Sequence, residues 1–204
     1  MRMADDLRSA PVPPVRPDDH VHGAPGDPLL IVYGDFTCPA CATAHARLAV
    51  LPVRRVFRHF ALREKHPRAP ALAAAAEAAA CQGAFWPFHD ALYADQGRLD
   101  DPHLWARVTE MGLDLERFER DRRAPAVQAR IERDVRDGLR AGIALTPTLV
   151  VEGDIVPAAR TSAILDAFGI LKTSTNVRAP TERCAEAEGK HPICLKPYGT
   201  RPST

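Results

Sequence analysis

The chain has 204 residues, 46 % hydrophobic and 26 % charged, with a formal net charge of +1. That is enough apolar material for one packed domain, and the balanced charge makes no electrostatic case for nucleic acid or a membrane surface. Five cysteines are too few for a disulfide scaffold, and no apolar run is long enough to span a bilayer.

The opening residues, Met1 to Arg8, contain no apolar core of a secretory signal, so a chain that starts here is expected in the cytosol. Residues 1–19 carry Pro11, Pro13, Pro14 and Pro17 among charges and read as a flexible lead-in. Asp19 to Gly23 and Pro25 to Pro28 read as turns that deliver the chain to its first strand. That strand is the apolar run from Leu29 to Tyr33.

Cys38-Pro39-Ala40-Cys41 follows, where the strand hands over to a helix. Residues three apart lie on one helical face, which brings the two cysteines within disulfide range. Pro39 suits the first turn, where a missing N–H costs nothing. The unpaired N–H groups and partial positive charge of the helix start favour a thiolate on Cys38, and the thiolate is the species that exchanges disulfides. Cys41, Ala44, Leu48 and Leu51 share one face, so Cys41 should be buried. Two readings stand for His45: a group that stabilises a thiolate or shuttles protons, or a surface histidine. Two also stand for Asp35: proton acceptor for Cys41, or solvent-facing strand end.

The competing reading of the C-x-x-C is half of a zinc site in a non-catalytic, partner-binding or redox-sensing module. Such a site needs two more ligands. His45, and Cys184, His191 and Cys194 in the tail, are the candidates; no second C-x-x-C exists.

Pro52 stops the first helix, and Val53 to Phe60 reads as a second strand. Strand, helix and strand make a βαβ unit with parallel strands. From Arg68 to Leu139 the pattern is helical: an Ala-rich helix over 69–82 and an aromatic one over 85–93. A third opens on Asp101 as N-cap, carries Leu104, Trp105, Val108 and Met111, and ends at Gly112. A short one starts at Asp114, and the last runs from Ala124 to Leu139 with Val127, Ile131 and Val135 at four-residue steps. Phe85, Trp86 and Phe88 read as core of this insertion or, in part, as the border of a substrate groove, and Cys81 as an inert buried thiol. The β pattern resumes at Thr146 to Val151, turns at Glu152-Gly153-Asp154 and returns through Ile155-Val156. An amphipathic helix from Ala158 to Leu171 closes the domain. The tail from Lys172 has no periodicity and holds Cys184 and Cys194, which read as a tail disulfide, a regulatory pair or idle thiols.

Four segments in series carry a resemblance: Tyr33 to Cys41, Phe57 to Leu62, Gly83 to Asp90 and Gly142 to Thr148. Over residues 18–171 the chain resembles the DsbA-like thioredoxin-fold thiol–disulfide oxidoreductases, whose domain occurs alone or joined to a sodium/proton antiporter. The resemblance implies an α/β thioredoxin fold built from residues 20–62 and 140–171. An all-helical insertion, 63–139, would lie between the βαβ half and the C-terminal hairpin–helix half, with an irregular tail over 172–204. It implies Cys38 as exposed nucleophile and Cys41 as buried resolving thiol. Pro147 would be cis and face the disulfide, with Thr146 offering backbone groups to a substrate peptide. Read without the family, Thr146-Pro147 is an ordinary trans turn. The implied partners are protein or small-molecule thiols and disulfides, with no nucleic acid and no membrane. No metal and no cofactor is expected; neither a G-x-G-x-x-G nor a P-loop pattern occurs.

Overall fold

The computed structural model of the protein describes residues 10–156. The expected closing helix, the tail with Cys184 and Cys194, and the first nine residues lie outside them. The chain runs β1 (His20–His22), β2 (Leu29–Gly34), α1 (Pro39–Ala49), β3 (Arg54–His59), α2 (Ala69–Ala80), α3 (Phe85–Ala94), α4 (Asp101–Glu110), α5 (Leu115–Asp121), α6 (Pro125–Arg140), β4 (Thr148–Val151) and β5 (Asp154–Val156). One sheet results, in the order β1-β3-β2-β4-β5. β2 and β3 are parallel, with Ile31 opposite Val56, and every other pairing is antiparallel. Among the described residues no helix is long and apolar enough to cross a membrane.

Alternation along β2 sends its side chains to two different cores. Leu30 packs with Leu48 of α1, Val53, Leu149 and Val156, whereas Ile31 and Tyr33 pack with Val56, Phe60, Ile143 and Val150. The helical insertion closes over the end of the sheet that carries the cysteines. Its own core is continuous with them: Phe36, Cys38, Cys41 and Phe57 share one cluster with Leu72, Phe85, Phe88, Leu92, Tyr93, Leu104, Val108 and Phe118. Phe85 and Phe88 are therefore core of the seam between insertion and sheet, a larger role than core of the insertion. α2 fits inside this seam because nearly all its buried side chains are Ala, which lets α3, α5 and α6 pack close to its backbone. α6 approaches the sheet just as closely at Gly138, where a Cβ would stand 2.9 Å from the Phe60 ring.

The structure departs from the sequence reading at several points. His20–His22, read as part of a turn, is an antiparallel edge strand. Three residues are too short to display a period, and it is tertiary contacts that hold it, with His20 stacked on Phe85. Residues 10–19, read as flexible, are tied down. The buried Arg58 guanidinium donates to the carbonyls of Pro13 and Pro14 at 2.7 Å each and pairs with Asp19 at 2.8 Å. The α4 N-cap is Asp100, one residue earlier than expected, accepting from the His103 N–H. Trp105 faces outward and donates to Glu119 at 2.8 Å. Cys81 is exposed: it is the C-cap of α2, past the last fully packed turn, and not the buried thiol expected.

Candidate active site

The site forms where β2 ends and α1 begins. Gly34 closes the strand because nothing larger fits: a Cβ there would lie 2.6 Å from the Phe57 ring and 2.9 Å from the Tyr93 hydroxyl. Asp35 then builds the turn into the helix. Its carbonyl accepts the Cys38 N–H at 3.1 Å, and its carboxylate accepts the N–H and the hydroxyl of Thr37, both at 2.8 Å. The other carboxylate oxygen is met by His66 Nδ1. Asp35 is 3 % exposed, so the solvent-facing reading is overturned. Its carboxylate is engaged by Thr37 and His66, and it is the Asp35 backbone that reaches the Cys41 sulfur.

Cys38 is the N-cap of α1, with extended backbone angles of φ −83° and ψ 117°. Pro39 takes the first helical position, leaving the N–H groups of Ala40 and Cys41 directed at the Cys38 sulfur. A capping oxygen normally sits there. As a thiol the sulfur makes no regular cap hydrogen bond; as a thiolate it gains from both N–H groups. The Cys41 thiol donates to it as well, and that bond is the largest influence on it. Together with the Thr146 side chain and the two N–H groups, it outweighs burial and brings the Cys38 thiol down to about 5. The same bond acts in reverse on Cys41, which it and burial push far up. One sulfur is thus prepared to carry charge and the other to keep its proton.

Cys38 is 7 % exposed and Cys41 3 %, both free thiols. The expectation of an openly exposed nucleophile is corrected here. Only a small face of Cys38 reaches solvent, because the loop before β4 leans over it. Its sulfur lies 3.5 Å from the Thr146 carbonyl oxygen, and the Thr146–Pro147 peptide bond is cis. Pro147 lines a small cavity with Cys41.

Of the two readings of His45, the surface one is overturned: the His45 ring stacks on Tyr93 at 5.2 Å, meets the edge of His89 at 4.9 Å, and is largely buried. Its Nε2 lies 3.5 Å from Asp90 Oδ1, and His89 Nδ1 lies 2.8 Å from the same oxygen. These three residues have ligand atoms within 4.8 Å of one another, the reach of a cation site. Arg55, however, already places positive charge beside all three. The zinc ligands weighed from the tail lie outside the described residues.

Several site residues were not read from the sequence. Tyr93, buried, places its hydroxyl in hydrogen-bond contact with the Cys41 sulfur. His89 and Asp90 sit in a segment read only as aromatic core. Gln96, in the loop after α3, donates to the carbonyls of Phe36 at 2.8 Å and Cys38 at 3.0 Å, pinning the backbone at the helix tip. Nothing in its local sequence signals this. Gln96→Ala leaves two carbonyls without that donor and should lower unfolding free energy by about 1–2 kcal/mol. Urea denaturation checks this; an unchanged midpoint would remove Gln96 from the architecture of the site.

Comparison with known proteins agrees with this geometry. A family model described as "Thioredoxin" matches residues 16–168. The thioredoxin-like oxidoreductase from Silicibacter pomeroyi DSS-3 is similar at 31 % identity and a TM-score of 0.66, covering 78 % of this chain and 95 % of that one. DsbA2 from Pseudomonas aeruginosa superposes with a TM-score of 0.58 at 25 % identity, covering 79 % of this chain and 99 % of its own. Among curated sequences, the Na(+)/H(+) antiporter NhaA of Herminiimonas arsenicoxydans is 41 % identical over 156 residues, which is 72 % of this chain but only 25 % of the antiporter. The chain thus matches about a quarter of that relative's length. With the mixed sheet, the helical insertion and the Cys38–Cys41 pair at the start of α1, the chain belongs to the thioredoxin family, in the DsbA-like form of its fold.

Proposed function

We propose that the protein exchanges disulfides with protein or small-molecule thiols, with Cys38 as nucleophile and Cys41 as resolving thiol. The observation that carries this reading is the Cys38 sulfur at the N-cap of α1. There the Cys41 thiol and two helix N–H groups favour its charged form. A thiolate so placed attacks a substrate disulfide; the Thr146 carbonyl, which accepts from the Cys38 thiol at 3.5 Å, loses that donor on ionisation and can then orient an extended peptide.

The same stabilisation sets a direction. A thiol lowered to about 5 stabilises the reduced, ionised form, so the disulfide is the more oxidising. The sign follows from linkage. The folded value lies below the unfolded value of about 8.5. The contribution to the reduced fold is therefore complete above the unfolded value and is lost as pH falls through about 5. Thiolate absorbance of Cys41→Ser, in which a hydroxyl still donates to Cys38, should titrate with a midpoint below the free-thiol value of about 8.5. Equilibration of the wild-type pair with glutathione should give a potential less negative than about −270 mV, the thioredoxin value. A midpoint at or above the free-thiol value, together with no exchange with glutathione, would overturn the reading.

A further inference from the structure

Resolution needs a proton acceptor. Cys41 holds its proton tightly, yet it must lose it as its sulfur attacks the mixed disulfide on Cys38. The Asp35 carboxylate is taken by Thr37 and His66. Against Cys41 lies a cavity of about 20 Å³, room for about one water. Its polar lining is His45, His89, Tyr93 and Arg55 beside Cys41, enough partners for one water, and apolar side chains with Pro147 form the rest. Both imidazoles turn one nitrogen to Asp90 Oδ1, His89 Nδ1 at 2.8 Å and His45 Nε2 at 3.5 Å. In a neutral ring the nitrogen facing a carboxylate carries the hydrogen, which leaves His89 Nε2 and His45 Nδ1 as acceptors. Asp90 itself is half-exposed and connects the cluster to solvent.

Resting on the exchange reading above, we propose that the His45–His89–Asp90 cluster accepts the Cys41 proton through one water in this cavity and passes it to solvent at Asp90. In the step, the Cys41 Sγ–Cys38 Sγ bond forms and the bond from Cys38 Sγ to the substrate sulfur breaks. The two protein sulfurs become the disulfide, and the substrate sulfur leaves as a thiolate. The proton moves from Cys41 to an imidazole nitrogen and then to water. Tyr93 donates its hydroxyl to the Cys41 sulfur and so favours its charge as the proton leaves.

The charged groups facing the two rings are Asp90 and Arg55, with each ring also facing the other. Burial, with Arg55, keeps both rings neutral, His89 down to about 4, while Asp90 pulls the other way. They are therefore unprotonated through the neutral range, each with a free lone pair, and as weakened bases they hold the proton only in transit to Asp90 and solvent. A divalent ion at the cluster would have to sit beside Arg55, so proton transfer is the chemistry the charges favour.

The test uses the reduced full chain carrying Cys81→Ser, Cys184→Ser and Cys194→Ser, which leaves Cys38 and Cys41 as its thiols, and an aromatic disulfide whose leaving thiolate is coloured. Attack by Cys38 releases one thiolate and resolution by Cys41 a second, so the two phases separate the two readings. Absence of the first phase in the wild type would count against exchange itself. In the doubly substituted His45→Gln, His89→Gln chain the first phase should persist. The second should slow about 100-fold at neutral pH, with the gap closing as pH rises and Cys41 ionises unaided. Asp90→Asn, at a half-exposed position, tests the orienting carboxylate on a chain that keeps its core. Its second phase should reach a lower plateau, with the midpoint of its pH profile moved down. A second phase as fast as the wild type's, or slowed by one factor at every pH, would overturn the relay.

Discussion

Cys38→Ser is expected to lose turnover by about a thousandfold or more, measured as oxidation of a dithiol peptide or reduction of insulin, because no other described sulfur stands at a helix N-cap. The two cysteines should fail in different ways. Cys41→Ser keeps the attacking thiolate and removes the thiol that resolves, so mixed disulfides with substrates should accumulate. Cys38→Ser keeps only the buried Cys41 thiol, 3 % exposed and away from the helix tip, and should trap little or nothing. Non-reducing electrophoresis of the two variants expressed in cells reads this directly. Both should stay folded, since Ser is close to Cys in size and its hydroxyl can keep the hydrogen bonds the sulfur makes. Equal trapping by both variants, or bands that survive dithiothreitol, would reverse or reject the assignment of roles. Joint removal of Cys184 and Cys194 should leave turnover nearly intact.

Glu77→Ala should lower unfolding free energy by about 3–5 kcal/mol, the range for breaking a buried ionic network by removing one partner. Glu77 is 5 % exposed, and a single carboxylate oxygen meets His20 at 2.7 Å, His59 at 2.8 Å and Arg130 at 2.8 Å. It joins β1, β3 and α6 to α2, and so holds the helical insertion against the sheet that carries the cysteines. Burial alone would raise its carboxyl, but the hydrogen bonds from His20 and His59 and their charges hold it well below the usual range. Burial lowers His20 in turn. Both folded values lie below the unfolded ones, so both contributions are present at neutral pH. They fade as pH falls, first through the unfolded histidine value of about 6.5 and then below the carboxylate value of about 4.3. Wild-type melting temperature should fall over that window, and the Ala variant should be flatter. Tryptophan fluorescence in urea measures the loss. Cys81→Ser, at an exposed helix end, should change stability by less than about 0.5 kcal/mol. A loss below about 1 kcal/mol for Glu77→Ala would mean that the network is not what fixes the insertion.

The features legible in one dimension are those set by neighbours in the chain. The apolar run ending at Gly34, the prolines and acidic caps at helix starts, and the four-residue steps of Val127 and Ile131 each report a local preference. The described structure follows them to within a residue or two. The C-x-x-C was legible for the same reason: its spacing, the strand before it and the helix after it place both sulfurs on one helix end. What surrounds those sulfurs was not legible. His45 reads as exposed from α1 alone, because the Tyr93 and His89 that bury it come from α3. Of the two readings of Asp35, the open strand end fails because His66 closes on it from the loop before α2. Gln96 and Glu77 look like ordinary polar residues in a loop and in an alanine helix. Their partners, the Cys38 carbonyl and the histidines of β1 and β3, are joined to them only by folding. Hydrophobic period and capping act over a few residues, whereas burial, and with it the protonation of each buried group, depends on whichever distant element covers it. The placing of two cysteines at one helix start is thus a property of the chain, and the division of charge and proton between Cys38 and Cys41 is a property of the packed structure.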